Sequence, residues 1–153
     1  MDIVKVTFND NTVHEYKKGT LFYDASKDFD MENIEGYKIN NEVFSLDNKI
    51  LEDVKVDFIN TNDLIGNRIY KAGLKFLFLV SLQEVFNDFD VVYEHSVPRG
   101  MLGVLKGPRV LSHEDISKIK ARMCKLISDN EIITKLNVSA KDAIKYFNDK
   151  KEY

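Results

Sequence analysis

Arg68, Lys71 and Lys75 stand at i, i+3 and i+7 in GNRIYKAGLKFLFLVSLQEVF, and they are the first residues whose types and spacing could do chemistry. On a helix that spacing projects all three from one side of the first two turns. There they form either a solvated stripe or an edge that attracts an anion such as a phosphate. Tyr70 lies among them, and Arg99, Lys106 and Arg109 follow in the next segment, where a hairpin could bring them to the same edge. Glu94-His95-Ser96 is the second polar cluster. On a strand, Glu94 and Ser96 face one way and His95 the other, so the triplet is not a local carboxylate–imidazole–hydroxyl relay. His95 is left either to hydrogen-bond its hairpin or the long helix, or to line a groove with Arg68, Tyr70 and Arg99. The candidate ligand-binding set is Arg68, Tyr70, Lys71, Lys75, Glu94, His95, Ser96 and Arg99, with no catalytic residue among them.

The remaining reactive side chains have simpler explanations. His14 reads as a solvent-facing strand residue, His113 as part of a helix start, and Cys124 as a small buried residue on a helix. Asp24, Asp28 and Asp30 lack the spacing of a calcium loop and read as a solvated end. No G-x-x-x-x-G-K-[ST] occurs, so nothing here can cradle nucleotide phosphates in that manner. Neither a metal nor another cofactor is expected.

Composition bounds the class. The 153 residues, 44% hydrophobic with two prolines, suit one ordinary domain or two small ones. A formal charge of −3 gives no global signature of a nucleic-acid or membrane binder, so such binding needs a local patch. A single cysteine and a start, MDIVKVTF, without leader character are expected of a reduced, cytoplasmic protein. The apolar run Leu74–Leu82 is interrupted by Lys75 and falls short of the ~20 residues a spanning helix needs.

The elements that must position these residues follow from periodicity. VKVTF alternates as a strand, Asn9-Asp10-Asn11 forms a turn and TVHEY returns. Thr20 is placed to cap a short helix through LFYDASKDF. YKIN-NEVF reads as two strands about Asn40-Asn41, and VKVDFI as one last strand with Val54, Val56 and Phe58 on one face. From Asn67 to Phe86, after a possible Asn62-Asp63 cap, apolar residues cover nearly every side, which predicts an enclosed central helix. DVVYEHSV and MLGVLKG form a hairpin about Pro98-Arg99-Gly100. Ser112 and Asp115 make a capping box for an amphipathic helix with Ile116, Ile119, Met123, Leu126 and Ile127 on one face. IITKLNVS is expected as a strand, and Ser139 as cap of a last helix with Ala143, Ile144 and Phe147 inward.

The first segment's ββαβ(β)β order, its K-x-G-T helix start and YKINNEVFSLDNKILEDVKVDFI resemble the TGS domain, a ubiquitin-like β-grasp at the front of threonyl-tRNA synthetases. The second segment's α-β-β-α-β-α order resembles the threonyl/alanyl-tRNA synthetase editing domain, an antiparallel α/β sandwich. That family carries H-x-x-x-H on its long helix and a later C-x-x-x-H. In a register anchored on Phe86 the two histidine positions fall near Ala72 and Phe76, and Cys124 is followed at the required spacing by Ser128. The editing constellation is therefore expected to be absent. N-R-I-Y-K at 67–71, E-H-S at 94–96 and L-S-x-E-D at 111–115 resemble the front of bacterial uridine kinase-like proteins. That likeness implies an accessory region preceding a P-loop kinase domain absent from this chain.

Together these readings give an α+β protein with a TGS-like domain at 1–61 and an editing-like domain, shortened at its C-terminal end, at 62–153. The expected function is non-catalytic binding of RNA, tRNA-like, or of a nucleotide, in the service of a downstream nucleoside kinase domain, without membrane association. The alternatives are a threonyl-tRNA synthetase-like deacylase region and a protein-interaction scaffold.

Overall fold

The computed structural model describes residues 2–97 and 100–149. In order they form β1 (Ile3–Thr7), β2 (Val13–Lys17), α1 (Phe22–Ser26), β3 (Ile34–Ile39), β4 (Glu42–Phe44), β5 (Val54–Lys55), β6 (Asp57–Asn60), α2 (Leu64–Val85), β7 (Asp90–Val97), β8 (Gly100–Lys106), α3 (His113–Ser128) and α4 (Ala140–Asp149). The protein is of mixed α+β class. It divides between Arg109 and Val110 into two compact units.

In the first unit, β1 pairs antiparallel with β2 and parallel with β5, giving the order β2-β1-β5. β3 pairs antiparallel with both β4 and β6, giving β4-β3-β6. The expected single last strand is thus split at Val56, which donates its N–H to Thr7 O at 2.9 Å. Residues before the break pair with β1 and those after it with β3. The turns follow the expectation, because asparagine tolerates positive φ: Asn11 has φ 67°, Asn40 50° and Asn41 67°.

The alternating strand positions and α1 bury Val4, Val6, Phe8, Phe22, Ala25, Tyr37, Ile50, Val56 and Phe58 as one cluster. Asn9 closes its edge, its side chain accepting from Phe58 N at 2.7 Å and donating to Phe58 O at 3.2 Å. Two local expectations are corrected. Thr20 does not cap α1, since its hydroxyl donates back to Lys17 O. The helix's first N–H groups are instead satisfied by loop carbonyls, Phe22 N donating to Asn48 O and Tyr23 N to Leu46 O. His14 does not face solvent: it stands opposite Val6 and stacks on buried Phe8, ring centroids 4.7 Å apart. Among the three aspartates, Asp24 pairs with Lys27 at 2.8 Å and Asp28 accepts from Tyr16 Oη at 2.9 Å. Burial, together with Asp28, raises the Tyr16 pKa, holding it protonated.

α2 begins tight against β6. A side chain at Gly66 would collide with the Asn60 carbonyl, so glycine is required there. Asp63 occupies the N-cap position, but its carboxylate accepts from Asn60 N rather than from a helix N–H. The expectation of an enclosed helix is overturned. Only Gly66, Ser81 and Leu82 are buried, while Tyr70 and Phe76 are 45% and 47% exposed. An apolar circumference reports composition, and enclosure needs neighbours on every side; among the described residues α2 packs chiefly on β3, β6 and β7.

In the second unit the capping box forms: Ser112 Oγ accepts from Asp115 N at 3.2 Å, and Asp115 Oδ2 accepts from Ser112 N at 2.9 Å. Ile119 is buried, whereas Ile116 and Ile127 remain exposed. Cys124 is exposed, contrary to expectation. No strand forms over 131–139, because a strand needs a ladder partner and none pairs with it. Ser139 does cap α4, accepting from Asp142 N at 3.2 Å. Yet no α4 residue is buried, and Ile144 and Phe147 point outward rather than inward. After the first sheets, the antiparallel β structure of the described residues is the β7–β8 pair alone. No helix among them is long and apolar enough to cross a membrane.

Candidate functional site

At ~100° per residue, Arg68, Lys71 and Lys75 fall within an arc of about 60° on α2, whereas Tyr70 lies roughly 160° around the helix from Arg68. Arg68 and Tyr70 are exposed; Lys71 and Lys75 are half-buried. Lys75 is fixed from two directions. Its carbonyl accepts from Tyr93 Oη at 3.2 Å, and its ammonium lies 5.1 Å from the centroid of the Tyr93 ring. Burial pushes the Tyr93 pKa up, so its hydroxyl keeps the proton it donates. Tyr93 thereby ties β7 to α2 alongside the basic arc.

The hairpin register decides the second cluster. Asp90 pairs with Lys106, Val92 with Val104 and Tyr93 with Gly103, after which a bulge at Glu94 shifts the ladder so that His95 pairs with Leu102 and Ser96 with Met101. One extra residue reverses the alternation of everything beyond it. Without the bulge His95 would share a face with Tyr93. With it, His95 joins Val92, Val97, Leu102 and Val104 on the opposite, exposed face. Glu94 is exposed at the bulge.

Arg99 lies outside the described residues. Lys106 belongs to the open end of the hairpin, opposite Asp90. Arg109 lies over Phe86 and Phe89, at 5.6 Å and 5.9 Å from their ring centroids. Eighteen residues of helix, ~27 Å at 1.5 Å each, separate Phe86 from Arg68, so Arg109 does not converge with the basic arc. The arrangement therefore brings Lys75 and Tyr93 together beside Arg68 and Lys71, and sets His95 apart from Tyr93. Tyr93 and the Glu94 bulge escaped sequence reasoning, because both depend on pairings set by β8 and α2 and have no local signature.

Such a site can attract and orient an anion. Among the described residues His95 has no hydrogen-bonded hydroxyl or carboxylate, and no group of three or more His, Cys, Asp or Glu could hold a metal ion. Ala72 and Phe76, both exposed, lie next to Arg68 around the helix.

No protein-family model matches the chain. It is similar to threonine–tRNA ligases along nearly its whole length. It is 27% identical over 98% of its residues to the enzyme of Parabacteroides distasonis. The figures are 24% over 96% for that of Caldanaerobacter subterraneus subsp. tengcongensis, and 26% over 93% for threonine–tRNA ligase 1 of Bacillus subtilis. The chain spans about a quarter of the length of these curated relatives, 23–24%.

Proposed function

We propose that the chain is the tRNA-contacting N-terminal region of a threonyl-tRNA synthetase-like protein, one that recognises RNA without cleaving its aminoacyl ester. The observation that carries this reading is similarity to threonine–tRNA ligases over 93–98% of the chain; the absence of hydrolysis is read from the register anchored on Phe86, in which the editing family's histidine positions fall near Ala72 and Phe76. The kinase reading from the 67–71, 94–96 and 111–115 clusters draws no support from the relatives, so a kinase domain partner is not invoked.

Residues 1–61 are read as the TGS-like β-grasp and 62–153 as the editing-like domain. The first reading is supported by strand order: taken through Val56 as one interrupted strand, the two sheets run β2-β1-β5/β6-β3-β4, with β1 and β5 parallel. Charge separates the two parts. Residues 1–61 hold thirteen carboxylates against seven lysines and no arginine, whereas 62–153 hold fifteen basic and twelve acidic residues. Phosphate contacts therefore belong to the second part, with Arg68, Lys71, Lys75 and Arg99 as the contacting cations and Tyr70, Glu94, His95 and Ser96 as neighbours of the bound strand. A cytoplasmic setting goes with this role.

Filter binding of a threonine tRNA transcript tests the reading. The chain should bind in a salt-sensitive manner, and Arg68→Glu/Lys71→Glu should weaken binding about tenfold or more, since each lost phosphate contact lowers the salt slope by ~1. Equal binding by the double variant would remove the basic arc from the interface.

A further inference from the structure

α1 is only five residues long, and its first residue, Phe22, stands at the wall of a cleft shared with β3, β4 and β5. The cleft is open, about 550 Å³ in volume, and Phe22, Tyr37, Ile39, Phe44 and Val54 make its apolar lining. Tyr37 is 2% exposed and held between two rings, with centroids 3.9 Å from Phe22 and 5.6 Å from Phe44. Its hydroxyl accepts from Asn48 Nδ2 at 3.3 Å, while its own hydrogen goes to no acceptor among the described residues. A buried donor left unspent at the wall of an apolar cleft favours an occupant that brings an acceptor.

The rim supplies the sign of that occupant. Asp47 and Glu52 stand against Lys49 alone, in a segment whose carboxylates outnumber its lysines by thirteen to seven. The half-buried Phe44 offers an aromatic face to a cation. Phe44 also ends β4, which among the described residues pairs only with β3 and so presents its other edge unpaired. An unpaired strand edge beside side-chain pockets suits an extended peptide, whose main chain follows the edge while alternate side chains enter the cleft.

We propose that this cleft and the free edge of β4 form a docking site for an extended basic protein segment, one that alternates arginine or lysine with apolar residues. The arginine or lysine lies over Phe44 between Asp47 and Glu52, and a backbone carbonyl of the segment accepts from Tyr37. This site is separate from the RNA-facing arc on α2 and does not depend on it.

The test is a titration of ¹⁵N-labelled chain with the peptide acetyl-Leu-Arg-Leu-Arg-Leu-Arg-amide, followed by amide chemical shifts. Saturable shifts confined to residues 37–54 and Phe22 are expected, with binding roughly tenfold weaker for Asp47→Lys/Glu52→Lys, both surface changes that leave the core untouched. Tyr37→Phe should weaken binding without altering the rest of the spectrum. Equal binding of the glutamate counterpart, or no saturable shift with the arginine peptide, overturns the proposal. Arginine amide binding as tightly as the peptide overturns the role of the β4 edge.

Discussion

Residues up to 61 and those beyond it use their apolar side chains in opposite ways. In the first stretch ten apolar side chains, from Val4 to Ile59, are no more than 6% exposed, and aromatic rings of Phe8, Phe29 and Phe58 meet within 5.3–5.6 Å. In the second, the buried apolar residues among those described are Leu82, Phe89 and Ile119. Phe76, Ile127, Ile132, Leu136, Ile144 and Phe147 stay open to solvent. The acidic first part gathers its apolar side chains into one contiguous core. The second spends its apolar and basic side chains on display, which suits a surface whose work is contact.

Core truncation should separate the two most sharply. Phe58→Ala should lose about 3–5 kcal/mol in urea denaturation, because it removes a ring from the centre of the cluster. Phe147→Ala should stay within ~0.5 kcal/mol, as for a surface change. Equal losses would erase the distinction.

The junction comes next. Gly66→Ala should cost about 1–3 kcal/mol, since the new methyl meets the Asn60 carbonyl and either α2 or β6 must shift. Amide exchange should speed up at both elements, and exchange confined to α2 would show that the two are not coupled there.

A smaller effect is expected at Ser112→Ala. Loss of the capping box should lower stability by ~1 kcal/mol, with faster exchange over the first turn of α3.

The smallest is a pH effect at Glu35, whose carboxyl is pushed above its ordinary range by burial. The folded chain then holds that proton more tightly than the unfolded chain. Its contribution is present below the unfolded pKa and declines as pH rises through the folded one. Glu35→Gln should therefore raise the urea midpoint at pH 7 more than at pH 4. An equal rise at both would assign the effect to packing.

What was legible in the sequence was local. Asn40-Asn41 specifies its turn through positive φ, Val4, Val6 and Phe8 mark their buried face by alternation, and Ser112 with Asp115 caps α3 within four residues. What was not legible depended on distant partners. Nothing in VKVDFI tells that Val56 will divide it between β1 and β3. Nothing in DVVYEHSV tells that one bulge will turn His95 away from Tyr93. The apolar residues of Ala140–Asp149 carry helix periodicity whether or not anything covers them. Three of the eight candidate site residues, Arg68, Lys71 and Lys75, share an arc through helix spacing alone. Tyr93, which anchors that arc, needed the fold to appear.

Recognition without hydrolysis is tested most directly by the lifetime of the ester on seryl-tRNA for threonine, measured in the fraction bound to this chain. The expected result is a bound fraction whose ester decays at the rate seen in buffer. Accelerated decay in that fraction, or no bound fraction at concentrations that saturate a threonine–tRNA ligase's own N-terminal region, would contradict it.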